Sequence, residues 1–294
     1  MFWYYPPIQD LFTDSIFGYN TGVDEMEETS MNAETRLQVK NHITVAMNKK
    51  IHDMTVENPF NEDAVFATNP FGARIVPTEV WKGSKFERSF VTTLGQGIFE
   101  QIGKIIAQGT GAHAENQHAS NLTLNTFQTQ TIEQIVERQG KEKGKKKDAP
   151  NVKKEIKKIQ ELSIDSTISM SVISDLYVKR QDGHEEFYSF KTVKPNKDQS
   201  AIAKKNLLYL KVAKPECDAY FGLPYNPAGH GKSYGSQSHK IPYKYFDMDD
   251  NRFVLVGSDL WNRIGQNEDT YDELLEIFDE VGQVTRKRIK VEYF

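Results

Sequence analysis

Apolar positions recur at helical spacing through the first half of the chain and predict several helices there. The strongest pattern is KFERSFVTTLGQGIFEQIGKIIAQ, residues 85–108, which predicts one continuous helix. The buried stripe of this helix is expected to contain Phe90, Leu94, Ile98, Ile102 and Ile105. Weaker patterns predict helices around residues 33–53, 123–139 and 152–162.

The second half of the chain begins with two strand-like segments rich in β-branched and aromatic residues. They are STISMSVISDLYVKR, residues 166–180, and EFYSFKTV, residues 186–193. Between them, Asp182-Gly183 is a turn signal, so the two segments are expected to form a hairpin.

After the hairpin, the pattern predicts a helix at residues 199–213, with Asp198 as its cap, and strands at 217–225 and 253–261. Thr270 and Glu273 have the spacing of a capping box and predict the start of a last helix. A strand, a helix and a strand in succession predict a parallel crossover beside the hairpin. We therefore expect an α/β fold with a mixed central β-sheet flanked by helices.

Length and composition narrow the class of protein. The chain has 294 residues, of which 38% are hydrophobic, and no clear linker divides it, so a single domain over residues 1–294 is expected. Residues 1–80 are expected to be an irregular or helical N-terminal extension. The chain contains no apolar run of about 18 residues, so no membrane partner is expected. Cys217 is the one cysteine, which excludes an internal disulfide and suits a reducing, cytoplasmic location.

Charge is unevenly distributed along the chain. The net charge is −4, but residues 138–158 contain ten Lys/Arg and three acids, a local charge of +7. A block of this kind can neutralise phosphates, and it is equally typical of a solvated insertion that runs into a helix face. The sequence leaves these two interpretations open.

Asp175 and Lys191 are expected near the ends of the two hairpin strands. Strand alternation places Lys191 on the same side as Ser189, and pairing around the turn brings Asp175 and Lys191 to one face at one end. A carboxylate there is suited to Mg²⁺, which prefers oxygen ligands. A lysine beside it is suited to orient water or to neutralise charge on a phosphate. This arrangement indicates metal-assisted phosphodiester hydrolysis.

Asp175, the turn and the x-x-Lys ending at Lys191 resemble the PD-(D/E)xK nuclease motif, with Ser189 at the position of the second acid. The segment Gly97-x-x-Glu100 with the isoleucines that follow it is similar to the first core helix of archaeal junction resolvases, whose glutamate enters the metal site. The resemblance implies a PD-(D/E)xK restriction-endonuclease-like core. It also implies Lys191 as catalytic lysine, Ser189 as a replaced ligand, and metal ligands from Asp175, Glu100 and the backbone carbonyl of Phe190.

The resemblance extends to a family of type II restriction endonucleases that recognises GGNCC. It rests on five blocks in order, FVTTLGQGIFEQIGKIIA, SDLYVKR, FYSFKTVKPN, YFGLPYNPAG and DLWNRIGQNEDTYDELLEIFDEVG. It implies that residues 84–294 form the nuclease core and a C-terminal helical part. The activity implied is Mg²⁺-dependent cleavage of both strands of a short palindromic double-stranded DNA site. A palindrome also favours a homodimer, and a cognate DNA methyltransferase is the expected companion.

Basic and amide side chains follow the catalytic lysine and are expected to contact DNA phosphates or base edges. They are Lys194, Asn196, Lys197, Lys204 and Lys205. The Gly/Ser-rich segment 225–240 is a hypothetical base-recognition loop.

Several alternatives remain open from the sequence. Glu87 is a rival for the second acid, and Glu185 or Glu186 is a further candidate from the turn. The GKS at residues 231–233 lacks the first glycine of a phosphate loop. Cys217, His230 and His239 fit no standard zinc spacing. A structure-selective repair or junction nuclease, and a catalytically degenerate DNA-binding protein of the same fold, are the alternative functions.

Overall fold

The computed structural model describes residues 31–141, 150–164 and 166–294. Residues 142–149, the centre of the Lys-rich block, lie outside the described residues, as does most of the segment before α1. Among the helices of the described part, none combines the length and the apolar character needed to cross a membrane.

A mixed sheet of five strands forms the centre of the described fold, in the order β1-β2-β3-β4-β5. The strands are β1 (His113–Asn125), β2 (Thr167–Lys179), β3 (Glu185–Phe190), β4 (Asp218–Leu223) and β5 (Val254–Val256). The first three strands are antiparallel, whereas β3, β4 and β5 are parallel. This confirms the predicted hairpin, the crossover beside it and the α/β class.

Helices cover both faces of the sheet. Those of the described residues are α1 (Ala33–His52), α2 (Glu62–Thr68), α3 (Gly72–Ile75), α4 (Thr78–Thr93), α5 (Phe99–Gly109), α6 (Thr126–Lys141), α7 (Val152–Gln160), α8 (Lys197–Ala213), α9 (Ser258–Gly265) and α10 (Thr270–Arg288). The crossover between β3 and β4 is α8.

The alternation of β3 divides the apolar residues into two cores. Phe187 packs with α6, α7 and α8 on one face of the sheet. Tyr188 and Phe190 pack on the other face with α1, α5, α9 and α10. Because successive strand residues point to opposite faces, β3 is buried on both sides.

Helix α1 belongs to the second core. Its residues Val39, Ile43 and Met47 are buried in the same cluster as Ile102 of α5. Within the extension expected over residues 1–80, residues 33–52 therefore form a helix that packs in the core. The helix was predicted, but its docking was not, because a helical pattern alone does not identify the surface that a helix covers.

The long helix predicted over residues 85–108 is interrupted. α4 and α5 are separated by a five-residue π-helical segment, Leu94–Ile98, in which Gly97 has a φ of +83°. Only glycine adopts this backbone conformation without steric cost, so Gly97 permits the break. Such π-segments within helices often occur beside functional sites.

Two predicted helix caps were wrong. Asn196, rather than Asp198, caps α8 and forms a capping box with Gln199. Thr270 does not cap α10, because its hydroxyl donates to the carbonyl of Asn267, and Glu273 accepts from the backbone N–H of Met31. The N-cap of α8 thus lies two residues nearer the strand than the sequence pattern indicated.

Candidate active site

Lys191 lies at the end of β3 and its ammonium points to β2. Nζ is 2.7 Å from Oδ2 of Asp175 and 2.8 Å from the backbone oxygen of Phe190. The backbone N–H of Lys191 donates to the carbonyl of Gly222 at 3.0 Å, so sheet hydrogen bonding continues to this residue. Lys191 is therefore fixed by the sheet and is not a lysine at a frayed strand end.

Ser189 faces Asp175 across the β2–β3 pair. Pairing of Leu176 with Tyr188 makes Asp175 and Ser189 the next facing residues. The Ser189 hydroxyl lies 3.4 Å from Oδ2 of Asp175. This is a long hydrogen bond, and it leaves the lysine as the principal partner of the carboxylate.

Glu100 reaches the same place from the first turn of α5. The break at Gly97 precedes it by three residues, so its direction is set by α5 and not by α4. Nε2 of Gln117, on β1, lies 2.9 Å from Oε2 of Glu100 and 3.5 Å from Oδ1 of Asp175. One amide group thus links the carboxylates of a helix and a strand.

Electrostatics in this group are dominated by two neighbouring acids. Burial raises the pKa of Glu100, and the negative charge of Asp175 raises it further, against smaller opposing effects of Gln117 and Lys191. A carboxylate that is costly to ionise beside another carboxylate is stabilised by an added cation. The candidate ligand atoms are oxygens, from the carboxylates of Glu100 and Asp175 and the backbone carbonyl of Phe190. Hard divalent ions prefer oxygen ligands of this kind. These residues therefore fit a divalent metal.

The acids and the lysine line a cleft of about 880 Å³. One wall is formed by α4 and the start of α5, and the other by the segment after β3 and by residues 224–227. Lys194 lines the cleft, as does Glu87, the rival acid, from the α4 side. In the described part of the chain, Glu100 is joined to Asp175 through Gln117, whereas Glu87 forms no hydrogen bond or ion pair with Asp175 or Lys191.

Glu185 and Glu186 were wrong as candidates for the missing acid. They begin β3, and strand geometry separates them from Lys191 by roughly 17–20 Å. Glu185 pairs with Lys214, and Glu186 is buried against Arg180 with Oε2 2.6 Å from Nη2. Both carboxylates therefore belong to the opposite end of the sheet.

Lys204 was also wrong as a DNA-binding residue. Its side chain is fully buried, with Nζ donating to the carbonyl of Tyr245 at 2.8 Å and paired with Glu155 at 2.5 Å. A lysine in this position stabilises the packing of α7 and α8 and cannot reach a phosphate. The helical pattern that placed it beside Lys205 did not show which of the two faces the core.

The other predicted contacts are divided among different roles. The side chain of Asn196 accepts from the backbone N–H of Gln199, so it serves the helix cap. Lys205 pairs with Glu133 of α6 at 3.3 Å, and Lys197 is exposed at the start of α8. Of the five residues, Lys194 is the one that lines the cleft.

The zinc signal in the sequence remains incidental. Cys217 is buried, His239 contacts the carbonyl of Pro195, and His230 stacks on Tyr271. Within the described ranges, His184, Glu186 and Asp218 do lie together. Arg263 pairs with both acids, and this favours an ion-pair network over a metal site.

Gln117 was missed by the sequence analysis. The segment that carries it, HAENQHASNLTLN, was not predicted as a strand because polar side chains occupy many of its positions. The signal that would have found it is the alternation of Leu122 and Leu124 with polar residues at its end.

Comparison with known proteins places this geometry in a family. A family model described as "Type II restriction endonuclease, HinfI" matches residues 31–282. The type II restriction enzyme HgiEI of Herpetosiphon aurantiacus is 31% identical over 232 residues, covering 75% of this chain and 81% of that protein. HgiCII of the same organism is 30% identical over 228 residues, covering 74% and 81%.

A more distant relative comes from an archaeon. The type II restriction enzyme MjaII of Methanocaldococcus jannaschii is 27% identical over 216 residues, which cover 68% of this chain and 55% of that protein. The range matched by the family model, residues 31–282, includes the sheet, α5 and the residues that line the cleft. The chain therefore belongs to the type II restriction endonuclease family represented by HinfI, a family of site-specific deoxyribonucleases.

Proposed function

We propose that this protein is a Mg²⁺-dependent type II restriction endonuclease that cleaves both strands of a short palindromic DNA site. The observation that carries the proposal is the contact of Lys191 with Asp175 at 2.7 Å inside a cleft that also contains Glu100. A lysine and two acids at the end of a sheet match the requirements of phosphodiester hydrolysis, which needs charge neutralisation and a positioned water.

Asp175, Glu100 and the backbone carbonyl of Phe190 are the proposed metal ligands. Bound there, a divalent ion supplies Lewis acidity toward the scissile phosphate and lowers the pKa of its water. Mg²⁺ is proposed over Ca²⁺ because only a few protein oxygens converge, and Mg²⁺ keeps several waters of its own.

Lys191 is proposed as the residue that orients the attacking water and meets the negative charge that develops on the phosphate. An ammonium has three donors, and two of them are accounted for by Asp175 and the Phe190 carbonyl. The remaining donor is available to a water or a phosphate oxygen. Ser189 is proposed to support Asp175 and not to bind metal, since its hydroxyl is oriented to that carboxylate.

DNA is proposed to enter the cleft between α4 and the segment that follows β3. Lys194 is exposed in this cleft and suits a phosphate contact. The loop at residues 225–240 begins on the same wall and is the proposed base-reading segment. A homodimer is proposed because a two-fold symmetric site is matched by a two-fold symmetric protein.

GGNCC is the first recognition sequence to test, on the strength of the blocks quoted above. A companion methyltransferase and a cytoplasmic location are part of the same proposal. The proposed nuclease domain includes α1, because its buried face packs on α5 and α10.

The test is digestion of unmethylated phage DNA with and without Mg²⁺, followed by sequencing of the fragment ends. Discrete fragments that share one palindrome at their ends support the proposal. Cleavage that follows branches or ends of the substrate would instead indicate a structure-selective nuclease. Salt-sensitive duplex binding without cleavage would indicate a degenerate DNA-binding protein.

A further inference from the structure

Gln117 occupies the position on β1 that faces Asp175. Asn116 pairs with Leu176 and His118 pairs with Ser174, which leaves Gln117 opposite the acid. The register is the same before and after Gln117, so no residue is inserted. Yet Gln117 has a φ of +53°, a left-handed conformation that is uncommon for a residue other than glycine.

Near Gln117, the side chains of β1 and of β2 switch from one face of the sheet to the other. Ala114 and Leu122 are an even number of residues apart, but they lie in the cores on opposite faces of the sheet. On β2, Val172 and Leu176 show the same exchange. In a regular strand, residues at even spacing share one face. The alternation of side chains is therefore reversed once within each of these two intervals, which contain the facing residues Gln117 and Asp175.

The amide of Gln117 uses this position to contact both acids. Its Nε2 carries two hydrogens and lies 2.9 Å from Glu100 and 3.5 Å from Asp175. The opposite side of Asp175 is held by Lys191 through the other carboxylate oxygen. Backbone strain that is retained at a point where two functional side chains are joined indicates a role in positioning them.

We propose that Gln117 is a positioning residue that holds the Glu100 and Asp175 carboxylates in register for one divalent cation. The inference rests on the proposed function, since it concerns the same two acids. Residues that hydrogen-bond metal ligands from outside orient those ligands, and their loss costs about 10–100-fold in metal affinity or activity. The left-handed backbone of Gln117 directs its side chain toward the two acids, and its amide contacts both carboxylates.

The experiment separates the amide from the backbone. Gln117→Gly keeps the left-handed conformation without strain and removes the amide, whereas Gln117→Asn tolerates the same conformation with a shorter reach. Asn116→Ala is the matched control, because Asn116 makes a comparable 2.9 Å contact between β1 and α5, to Gln101, away from the acids. Mn²⁺ binding to the DNA-free full chain is measured by electron paramagnetic resonance, with thermal unfolding and Mg²⁺-dependent cleavage measured in parallel.

We expect Gln117→Gly to unfold at a temperature no lower than the parent and to bind Mn²⁺ about 10–100-fold more weakly, with a matching loss of cleavage. The Mn²⁺ affinity of Gln117→Asn should fall between those of Gln117→Gly and the parent. Asn116→Ala should bind Mn²⁺ like the parent. If the parent cleaves DNA and Gln117→Gly binds Mn²⁺ as tightly as the parent does, the inference is overturned and the proposed function is not. A parent that binds no Mn²⁺ and cuts no DNA would overturn the proposed function together with the inference.

Discussion

The Nζ atom of Lys191 lies 2.7 Å from Oδ2 of Asp175, and each side chain is less than one-fifth exposed. The pair joins neighbouring strands at the point where the second acid, Glu100, approaches from α5. Without Lys191, the two neighbouring carboxylates would lose the ammonium that contacts Asp175. The lysine therefore contributes to the stability of the metal-free protein as well as to the proposed chemistry.

Replacing Lys191 with Met is expected to destabilise the metal-free protein by about 1–3 kcal/mol, because Asp175 loses a charged donor. Adding Asp175→Asn should recover part of that loss. The free energies of unfolding of the parent, both single variants and the double variant are measured in urea and compared as a cycle. Simple additivity of the two single changes would show that the contact has no energetic weight.

The second acid is expected to function from either of two positions, that of Glu100 on α5 or that of Ser189 on β3. Ser189→Ala should retain cleavage within a few fold, because the hydroxyl makes only a long contact of 3.4 Å to Asp175. Glu100→Gln should lose at least about 100-fold, a typical cost of removing one charge-stabilising group. Placing an acid on the strand in the double variant Glu100→Gln/Ser189→Asp should restore part of the activity, measured as single-turnover cleavage. Activity of Glu100→Gln equal to the parent would assign the second acid to another residue, with Glu87 the first to examine.

At the other end of β3, a buried ion-pair network is expected to stabilise the fold. Glu186 is 1% exposed and accepts from both Arg180 and the hydroxyl of Tyr188. Glu186→Gln should cost about 3–5 kcal/mol, because it leaves the buried Arg180 without its counter-charge. The matched control is Glu276→Gln, an exposed partner of Arg36, which should leave the urea midpoint unchanged. Equal midpoints for the two variants would contradict this assignment.

Alkaline pH is expected to destabilise the protein through Cys217. Burial raises the pKa of this thiol from its usual value near 9 to about 11. Between these values the folded state binds more protons than the unfolded state, so the free energy of unfolding falls as pH rises. The contribution is complete below pH 9 and is largely lost by about pH 11, and it amounts to roughly 3 kcal/mol. Burial also raises the pKa of Tyr234, to about 12, which acts in the same direction at higher pH.

The check is the urea midpoint of the parent and of Cys217→Ala measured from pH 8 to pH 11. The variant should show the smaller decline. In the native parent at pH 8, a thiol reagent should label Cys217 only as fast as the protein opens, because the side chain is 3% exposed. Rapid labelling under native conditions would contradict the buried position.

The parts of the fold that were predicted are those with strong local patterns. The hairpin follows from alternation and the Asp182-Gly183 turn, and the crossover follows from the order of elements. β1 was missed because its first half, HAENQH, is polar at nearly every position, as an edge strand with one neighbour can be. The cap of α8 was misplaced because Asn196 and Asp198 are both residues that can cap a helix, and only the backbone decides between them.

In the candidate site, too, residues in local sequence patterns were predicted and residues whose position depends on the tertiary fold were not. Asp175 and Lys191 were predicted from strand alternation around the turn, and Glu100 from the resemblance of its helix to that of junction resolvases. The structure brings these three side chains to one cleft. Gln117 was not predicted, since its role depends on the pairing of an unpredicted strand. Lys204 was assigned to DNA because sequence position shows charge but not burial, and the structure places it in the core.

The most direct test of the central claim is single-turnover cleavage of a duplex that contains the mapped site, with the parent, Lys191→Met and Glu100→Gln side by side. Calcium-supported or metal-free binding of the same duplex serves as a control for folding and affinity. The account predicts Mg²⁺-dependent double-strand cleavage by the parent and a loss of at least about 100-fold in each variant, with duplex binding retained. Undiminished cleavage by Lys191→Met would contradict the proposed active site.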